Sequence, residues 1–468
     1  TSHPFETMSE GVDGTEVKLA DVIPSDRLFV YVAKPATLIP LLEKGGDFIF
    51  RFGSMALENA VSRDLSDRYM ARLGMTEQWL KLLLQTGAVQ DLAFALPDLF
   101  LIEGTDITAV ARVPQMAHLK RLLAMLNLGR LDSTPVEHRN TDGSISYWAV
   151  HDNLLLISTN RGELEKVLAL ASGESEQASL GQSAEWRYMS AKLPPDDDTR
   201  YYVYFSDPFI RRLVSPAVKI GQLRRLQAKR NLELLTAAAL LYRHDGHSDQ
   251  PTVQHLAEAG YLPDNFPAAR FELRPDLTAV SDVYGTANDT GSLLEYPVTQ
   301  ATEKEAQRYN RYRERYSRYW RRYFDPIAVR VRDTHDSRLE MTTFILPLVD
   351  SRLYNGLKEV FAANDDAALN VPDITPEPVL LFSLNPSEKV WTELAGEFGR
   401  QLIRYTGITP NVLDVLGPSV HFAVQDAEPV VALGSGDMLG IFGAKGLTGI
   451  VDEDILWVPP LAVSLTRP

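Results

Sequence analysis

The chain has no cysteine among its 468 residues. Disulfides, zinc–thiolate centres, iron–sulfur clusters and cysteine nucleophiles are therefore excluded. A cysteine-free chain of this length is easier to explain for an exported bacterial envelope protein than for a cytosolic enzyme, although cytosolic chains without cysteine exist. The composition favours a periplasmic or cell-surface location, with a cytoplasmic location as the alternative.

Long hydrophobic runs are also missing. The best candidate, residues 232–242, is short and contains Glu233 and Thr236, whereas a transmembrane helix needs about 20 mostly apolar residues. We therefore expect no membrane span in these residues, and any anchor would have to lie outside them. Numbering from Thr1 fits a processed mature protein or a trimmed chain.

Positive charge is scarce, with 47 Lys and Arg against 62 Asp and Glu and a formal net charge of -15. A nucleic-acid partner is not expected, because binding requires a basic surface that displaces counterions. The basic residues are concentrated in two segments. Residues 208–230 carry seven Lys or Arg and no acid, and residues 303–324 carry eight against three Glu. Such segments could bind an acidic surface of the same protein, an acidic surface of a second copy of the chain, or a polyanion.

Sequence motifs that fix a reaction are absent. The glycine-rich residues 434–449 lack phosphate-loop spacing, since Gly446 follows Lys445 where serine or threonine is required. No nucleophile elbow occurs either. We predict no catalytic residue and no cofactor, and whether the protein is an enzyme stays open.

Residues 303–324 hold the most distinctive local pattern, a predicted helix rich in tyrosine and arginine. Its tyrosines are spaced to form one helical stripe, and its arginines form a second stripe beside them. The tyrosines are Tyr309, Tyr312, Tyr316, Tyr319 and Tyr323, and the arginines are Arg308, Arg311, Arg315, Arg318 and Arg322. Pro326 should end the helix near residue 324 or 325, before strands at 327–332 and 338–346.

This helix has two interpretations. In the first, Tyr312, Tyr316 and Tyr319 stack on sugars or bases while the arginines pair with phosphates or carboxylates. In the second, which we favour, the tyrosines face the core with their hydroxyls at its rim, and the arginines are solvated flanks. Burial of the tyrosine stripe distinguishes the two interpretations.

A possible metal site follows the predicted helix 216–243. His244, Asp245, His247 and Asp249 lie within six residues, and zinc or a similar metal accepts imidazole and carboxylate ligands. The simpler interpretation is a polar loop at the helix end, with His244 near the negative helix terminus.

One pattern recurs along the chain: an apolar strand, a short polar step, a proline and an amphipathic helix. Proline suits the first helical turn, where its missing N–H would be unpaired. The five strands are residues 28–32, 107–113, 201–205, 341–346 and 379–384, and the prolines after them are Pro35, Pro114, Pro208, Pro347 and Pro386. The repetition predicts duplicated modules of the α+β class, with mainly antiparallel sheets and packed helices.

The predicted domain organisation follows these modules and the linkers between them. The predicted segments are a tail or linker at 1–24, a first module pair at 25–193, a second α+β region at 194–376 and a third, incomplete module at 377–468. Residues 456–468 repeat the strand and the proline and stop where a helix should begin. We expect a longer polypeptide, the alternative being a terminal strand at the edge of the last sheet.

The segments GSISYWAVHDNLLLISTNRGELEKVLAL, SLGQSAEWRYMSAKLP and TRYYVYFSDPFIRRL are the basis of one family resemblance. Together they resemble an uncharacterised domain family of bacterial envelope proteins, over about residues 26–215. Members share a strand pair, a short helix and a second strand–proline–helix copy. The resemblance implies an exported, often membrane-tethered protein of unknown role, and it supplies no catalytic residues.

Three functional hypotheses follow from these observations. The first is a non-catalytic extracytoplasmic scaffold or interaction protein that binds a protein partner or itself. The second is a metal-assisted hydrolase built on His244 and His247. The third is a binder of anionic glycans or lipid headgroups through the Tyr/Arg helix.

Overall fold

The computed structural model describes most of the first 348 residues and short segments after them. The described residues are 3–40, 65–101, 103–124, 131–247, 249–287, 290–319, 326–333, 339–348, 355, 380–384, 420–424, 431–434, 455–458 and 461–465. Within these ranges, no helix is long and apolar enough to cross a membrane.

A nine-stranded antiparallel sheet is the centre of the fold, with the strand order β12-β11-β7-β1-β2-β3-β6-β5-β4. A second, three-stranded antiparallel sheet has the order β10-β9-β8. The strands are β1 (Leu28–Val32), β2 (Asp91–Leu96), β3 (Thr108–Arg112), β4 (Val136–Arg139), β5 (Ile145–His151), β6 (Leu154–Ser158), β7 (Thr199–Phe205), β8 (Phe271–Leu273), β9 (Ala279–Ser281), β10 (Gly285–Thr286), β11 (Ile327–Asp333) and β12 (Leu339–Ile345).

Helices accompany these sheets, so the predicted α+β class with antiparallel sheets is confirmed. The helices are α1 (Phe5–Met8), α2 (Leu38–Pro40), α3 (Leu65–Arg72), α4 (Glu77–Gln85), α5 (Met116–Ala124), α6 (Arg161–Ala171), α7 (Ala184–Lys192), α8 (Asp207–Leu213), α9 (Pro216–His244), α10 (Val253–Glu258) and α11 (Glu303–Tyr319).

The large sheet is buried on both faces because its strands are apolar on both sides. In β1, Phe29 belongs to the core on one face while Leu28 and Val32 belong to the core on the other, as the two-residue period of a strand requires. Helices α6 and α7 cover the first face, and α3, α4, α5 and α8 contribute to the second core. The result is a three-layer arrangement with the sheet in the middle.

Trp186 of α7 is the centre of the first core. Its ring lies edge-on to Phe29, Tyr202 and Tyr204, with ring centroids 5.5, 5.7 and 5.2 Å away. Edge-to-face pairs at such distances add to the stabilisation that area burial gives. Strands β1 and β7 are therefore joined by side-chain packing as well as by their hydrogen bonds.

The N-terminal residues are part of this core. Leu19 and Ile23 are fully buried on the first sheet face, and Leu180 N–H donates to the Ile23 carbonyl at 2.8 Å. The sequence predicts a polar tail or linker for residues 1–24, and the structure differs from that prediction. Four apolar side chains within residues 19–23 are too few to show a periodicity, yet they suffice to anchor the segment.

The long helix α9 continues beyond the sheet and forms a third core with α10 and the small sheet. Leu232, Leu235 and Ala239 of α9 pack there with Leu256 of α10 and Ala279 of β9. Helix α11 contacts α9 as well. The sequence predicts α9 at 216–243, and the structure has it one residue longer.

The chain divides into two compact units. The first comprises Thr1–Glu43 and Asp64–Leu348, and the second comprises Lys44–Arg63 and Val349–Pro468. The border predicted after residue 193 differs from this division, because β7, β11 and β12 complete the same sheet as β1 to β6. A linker rich in proline and aspartate, at 194–199, therefore connects two parts of one sheet.

The predicted duplication is not confirmed. Three of the strand–proline–helix segments have the predicted elements: β1 precedes Pro35, β3 precedes Pro114, and β7 precedes Pro208. The helices predicted after Pro347 and Pro386 lie outside the described residues. In the second unit, the described strands are β13 (Leu380–Leu384), β14 (Val420–Val424), β15 (Val431–Gly434), β16 (Ile455–Val458) and β17 (Leu461–Leu465), paired as β13-β14-β17 and β15-β16.

Candidate functional site

Helix α11 begins with a reciprocal cap. The Thr302 hydroxyl accepts from the Glu305 N–H at 3.3 Å, and Glu305 accepts from the Thr302 N–H at 2.8 Å, which is a capping box. Arg224 of α9 donates to both Glu305 oxygens at 2.7 and 2.9 Å and to the Gln300 carbonyl at 2.7 Å. These Arg224 hydrogen bonds, followed by those from Thr302, lower the Glu305 pKa to about 2. The start of α11 is thus fastened to α9.

The tyrosine stripe of α11 is half-buried toward α9. Tyr309 donates its hydroxyl to the Val214 carbonyl at 3.1 Å, and the Lys219 ammonium lies 5.2 Å from the Tyr312 ring centre. Tyr312 also stacks on Tyr316, with ring centroids 6.2 Å apart. Burial raises the pKa of Tyr312 to about 12 and lowers the pKa of Lys219. The Tyr312 ring is therefore engaged within the protein.

The arginines of α11 have the opposite environment. Their side chains are exposed, and none of them pairs with an acid among the residues that the structure describes. Helix α11 has five arginines, of which Arg313 lies on a different side of the helix from the others. We call the other four the arginine stripe, and it consists of Arg308, Arg311, Arg315 and Arg318. Spacings of three, four and three place them in one row about 15 Å long. The row combines a fixed backbone with four free cationic groups.

Part of the predicted anion site lies outside the described residues. Arg322 and the end of the predicted helix, 320–324, lie outside the described residues, as does the Tyr319 side chain. Anion binding by the arginines of α11 stays a prediction. The half-burial of Tyr309, Tyr312 and Tyr316 fits the interpretation in which the tyrosines pack inward and the arginines lie in solvent.

The histidine-rich loop after α9 is organised around Tyr242. His247 stacks on the Tyr242 ring with centroids 4.1 Å apart, and His255 meets its edge at 5.3 Å. The Tyr242 hydroxyl donates to Asp249 at 2.9 Å. This hydrogen bond, the largest cause, lowers the Asp249 pKa.

The other predicted metal ligands are turned to different partners. Asp245 accepts from the Tyr261 hydroxyl at 2.7 Å, and His244 is largely solvent-exposed. In the part of the chain that the structure describes, no three His, Asp or Glu side chains are grouped to hold one metal ion. The geometry resembles that of a polar loop stabilised by aromatic contacts, and metal binding by His244, Asp245, His247 and Asp249 stays a prediction.

A cleft of about 600 Å³ lies where β6 joins α6. We call it the Arg72 cleft. Sequence reasoning did not identify it, because its walls come from segments far apart in the chain. Its lining residues are Arg72, Gly143, Ser144, Ile145, Tyr147, Thr159, Asn160, Arg161, Gly162, Tyr284, Gly285, Gly291, Glu295 and Tyr296.

A buried charged network lies beneath this cleft. Arg225 is fully buried and donates Nη1 to the carbonyls of Gly104 and Gly291, at 2.6 and 2.8 Å. Asp106, also fully buried, accepts from Ser292 at 2.6 Å and Thr159 at 2.9 Å. Burial raises the pKa of Asp106 and lowers that of Arg225. Neither residue stands out in the sequence, where Arg225 is one of seven cations in a basic segment.

The geometry therefore offers an exposed cationic row on α11 and an open cleft beside α6. Comparisons of the chain with protein-family models, with curated proteins and with solved structures find no match.

Proposed function

We propose that the protein is a non-catalytic interaction protein that binds an extended polyanion along the arginine stripe of α11. The observation that carries the proposal is the exposure of Arg308, Arg311, Arg315 and Arg318 in a single row on a helix anchored to α9. In this proposal the protein works as an extracytoplasmic scaffold, in the periplasm or at the cell surface. Its lack of cysteine suits that location.

The protein's charge distribution supports a polyanionic partner. The chain carries a net charge of -15, so a polyanion is repelled by most of the molecule and attracted to the stripe. Arginine binds carboxylate or phosphate with a planar pair of donors, which fixes orientation as well as charge. Because the backbone of α11 is ordered before binding, little backbone entropy is lost when the polyanion binds, and the cost is confined to ordering the arginine side chains.

A linear acidic glycan fits the stripe better than a lipid surface. Helices that bind membranes place an apolar face in the interface, whereas the half-buried tyrosines of α11 contact Lys219 of α9 and Val214, which follows α8. The residues between the arginines, Asn310, Glu314 and Ser317, are polar and exposed. A single row of guanidinium groups can contact the acidic groups of a single linear glycan along its length.

The test measures binding of a heparin hexasaccharide, as a soluble acidic glycan, and of vesicles of phosphatidylcholine with phosphatidylglycerol. We expect the hexasaccharide to bind at low salt and its affinity to fall steeply as salt is raised. In the test variant all four stripe arginines are replaced by glutamine. Its affinity should fall by at least about a hundredfold, since each basic residue near an anionic surface contributes about 1 kcal/mol.

A matched control separates a specific site from net charge. The control variant replaces four exposed cations outside α11 with glutamine, at Lys120, Arg121, Arg139 and Arg187. It has the same net charge as the test variant and should keep most of the affinity. Equal losses in both variants, or binding that does not respond to salt, would reject the proposal. Stronger binding to vesicles than to the glycan would assign the stripe to lipid headgroups instead.

A further inference from the structure

Arg72, a cation in the lining of the Arg72 cleft, makes few contacts with the rest of the protein. Arg72 is only 8% exposed, and it lines the cleft. Its guanidinium makes one long hydrogen bond, Nη1 to the Thr105 carbonyl at 3.3 Å, and lies against the Tyr69 ring at 5.9 Å. No ion pair of Arg72 occurs with the described residues. The buried Asp106 carboxylate is close enough for the Arg72 charge to offset part of the rise that burial causes in its pKa, but it does not form an ion pair with the guanidinium. The guanidinium therefore keeps most of its five N–H donors for a ligand in the cleft.

The N-terminus of α6 adds backbone donors to the same wall. Asn160 caps this helix by accepting from the Glu163 N–H at 3.2 Å. The N–H groups of Arg161 and Gly162 have no partner within the helix, and both residues line the cleft. Glu163, the acid of this first turn, is buried in an ion pair with Arg27. The helix end therefore presents its positive pole to the cleft.

Another part of the lining, which we call the tyrosine wall, is aromatic and carries one acid. Tyr284 and Tyr296 meet edge-on, with ring centroids 5.3 Å apart, and Glu295 lines the cleft beside Tyr296. Tyr147 of β5 contributes a third phenol to the lining. Flat rings that carry hydroxyls, next to a carboxylate acceptor, suit a ligand with an apolar ring face and several hydroxyl groups.

Hydrogen bonds hold this wall in place. Gly291 accepts from the buried Arg225, Thr290 donates its hydroxyl to the Glu103 carbonyl at 2.9 Å, and Ser292 donates to Asp106 at 2.6 Å. Gly291 has a φ of 66°, and a side chain there would meet Tyr296 and Glu295 within 3 Å. The wall is thus formed before any ligand arrives, as in most small-molecule sites.

From these groups we infer that the Arg72 cleft binds a small hydroxylated carboxylic acid, of the acidic monosaccharide class. The ligand carboxylate pairs with the Arg72 guanidinium and with the N–H groups of α6. Its ring lies on the tyrosine wall, and its hydroxyls donate to Glu295. A volume of about 600 Å³ lies within the range of about 300–1,000 Å³ that is typical of ligand sites and is large for a simple inorganic anion.

The test measures binding of glucuronate, glucose and inorganic phosphate to the intact wild-type chain by calorimetry, and it locates the bound ligand by hydrogen exchange. Glucuronate should bind at least about tenfold more tightly than glucose, because charge-assisted hydrogen bonds are lost with the carboxylate. It should slow amide exchange at residues 159–163 and 284–296. Equal binding of glucose, protection elsewhere, or no binding at millimolar glucuronate would overturn the inference. Phosphate binding as tightly as glucuronate would also overturn it, because the site would then recognise charge alone.

Variants then assign the role of Arg72. Arg72→Gln should weaken glucuronate binding by about tenfold or more, whereas Arg121→Gln, which removes an exposed cation from α5, should leave it unchanged. Should Arg72→Gln not fold, the wild-type ligand series and the exchange map still decide. The variant with four glutamines in the arginine stripe should bind glucuronate normally. Failure of the polyanion proposal would therefore leave the inference about the Arg72 cleft unaffected, and the reverse also holds.

Discussion

At the scale of single residues, Glu185 is the most unusual acid that the structure describes. It is 8% exposed and accepts from the Tyr204 hydroxyl at 2.6 Å and the Asp207 N–H at 3.0 Å. Burial, reinforced by the nearby Asp207 charge, raises its pKa from 4.5 to about 7. The neutral acid is therefore favoured in the folded protein at mildly acidic pH.

We predict that Glu185 makes the protein less stable as pH rises from about 4.5 to 7. In this window the native state holds a proton that the unfolded chain has released, so the free energy of unfolding falls with pH. Glu185→Gln keeps the oxygen acceptor and removes the proton. The variant should lose that part of the pH slope, on the order of 3 kcal/mol across the window.

Urea unfolding at several pH values measures this effect. The control is Glu174→Gln, which removes an exposed carboxylate from the loop after α6. We expect it to leave the slope close to that of the wild type. An unchanged slope in Glu185→Gln would mean that Glu185 titrates as an ordinary acid.

A second residue-scale prediction concerns the buried pair Arg27–Glu163. Arg27 and Glu163 are 1% and 5% exposed, and two hydrogen bonds of 2.5 and 2.9 Å join them. Burial raises the Glu163 pKa, but hydrogen bonds and charges from Arg27 and Lys166 outweigh it and lower the pKa to about 2. The stability from this pair is present above pH 4.5 and is lost as pH falls toward 2.

Glu163→Ala removes the partner that accepts two hydrogen bonds from Arg27 and leaves the buried guanidinium with Asp26 alone, whose carboxylate lies 2.6 Å from Arg27 Nη1. We expect a loss of about 3 kcal/mol in unfolding free energy, at the low end of the cost of breaking a buried ion pair. Glu165→Ala breaks the exposed pair with Arg161 on the same helix and should cost less than about 1 kcal/mol. Chemical denaturation of both variants at neutral pH checks the difference. Similar small losses in both would show that Asp26 and water compensate the Arg27 charge without Glu163.

At the scale of elements, α11 depends on its tyrosines for its attachment to α9. Tyr312→Ala removes a half-buried ring that contacts Lys219 and Tyr316. We expect amide exchange along residues 303–319 to become about tenfold faster, corresponding to about 1.4 kcal/mol of lost local stability. Asn310→Ala, on the exposed side, should leave exchange unchanged. Equal exchange in both variants would mean that the α11 caps alone hold the helix.

Periodicity in the sequence predicts most of these elements well. The predicted strands at 327–332 and 338–346 agree closely with β11 and β12. Strands β5 and β6 form a hairpin that turns between His151 and Leu154. Asp152, with a φ of 49°, takes the left-handed conformation in that turn, which aspartate tolerates better than most residues. Local propensity and hydrophobic spacing were sufficient because these features depend on near neighbours.

The Arg72 cleft was harder to predict, because it depends on residues that are far apart in the sequence. Arg72 and Gly291 line one cleft although 218 intervening residues separate them, and nothing in a local window shows that Arg72 is buried. The arginine stripe was predictable, since its members share one helix. Helix spacing alone does not reveal that its neighbours, the tyrosines, pack on α9, because that depends on tertiary contacts.

At the scale of the whole molecule, the first unit should fold without the residues after Leu348. All strands of the nine-stranded sheet, and the three apolar cores that the described residues form, lie within residues 3–348. A chain ending at Leu348 should therefore unfold cooperatively on heating and keep its near-ultraviolet circular dichroism.

A chain ending at Lys192, close to the border predicted from the sequence, lacks β7. It loses Tyr202 and Tyr204 from around Trp186 and leaves β1 without its partner on one side, so it should not unfold cooperatively. Cooperative unfolding of the shorter chain would instead support the module border near residue 193 and an independent first module.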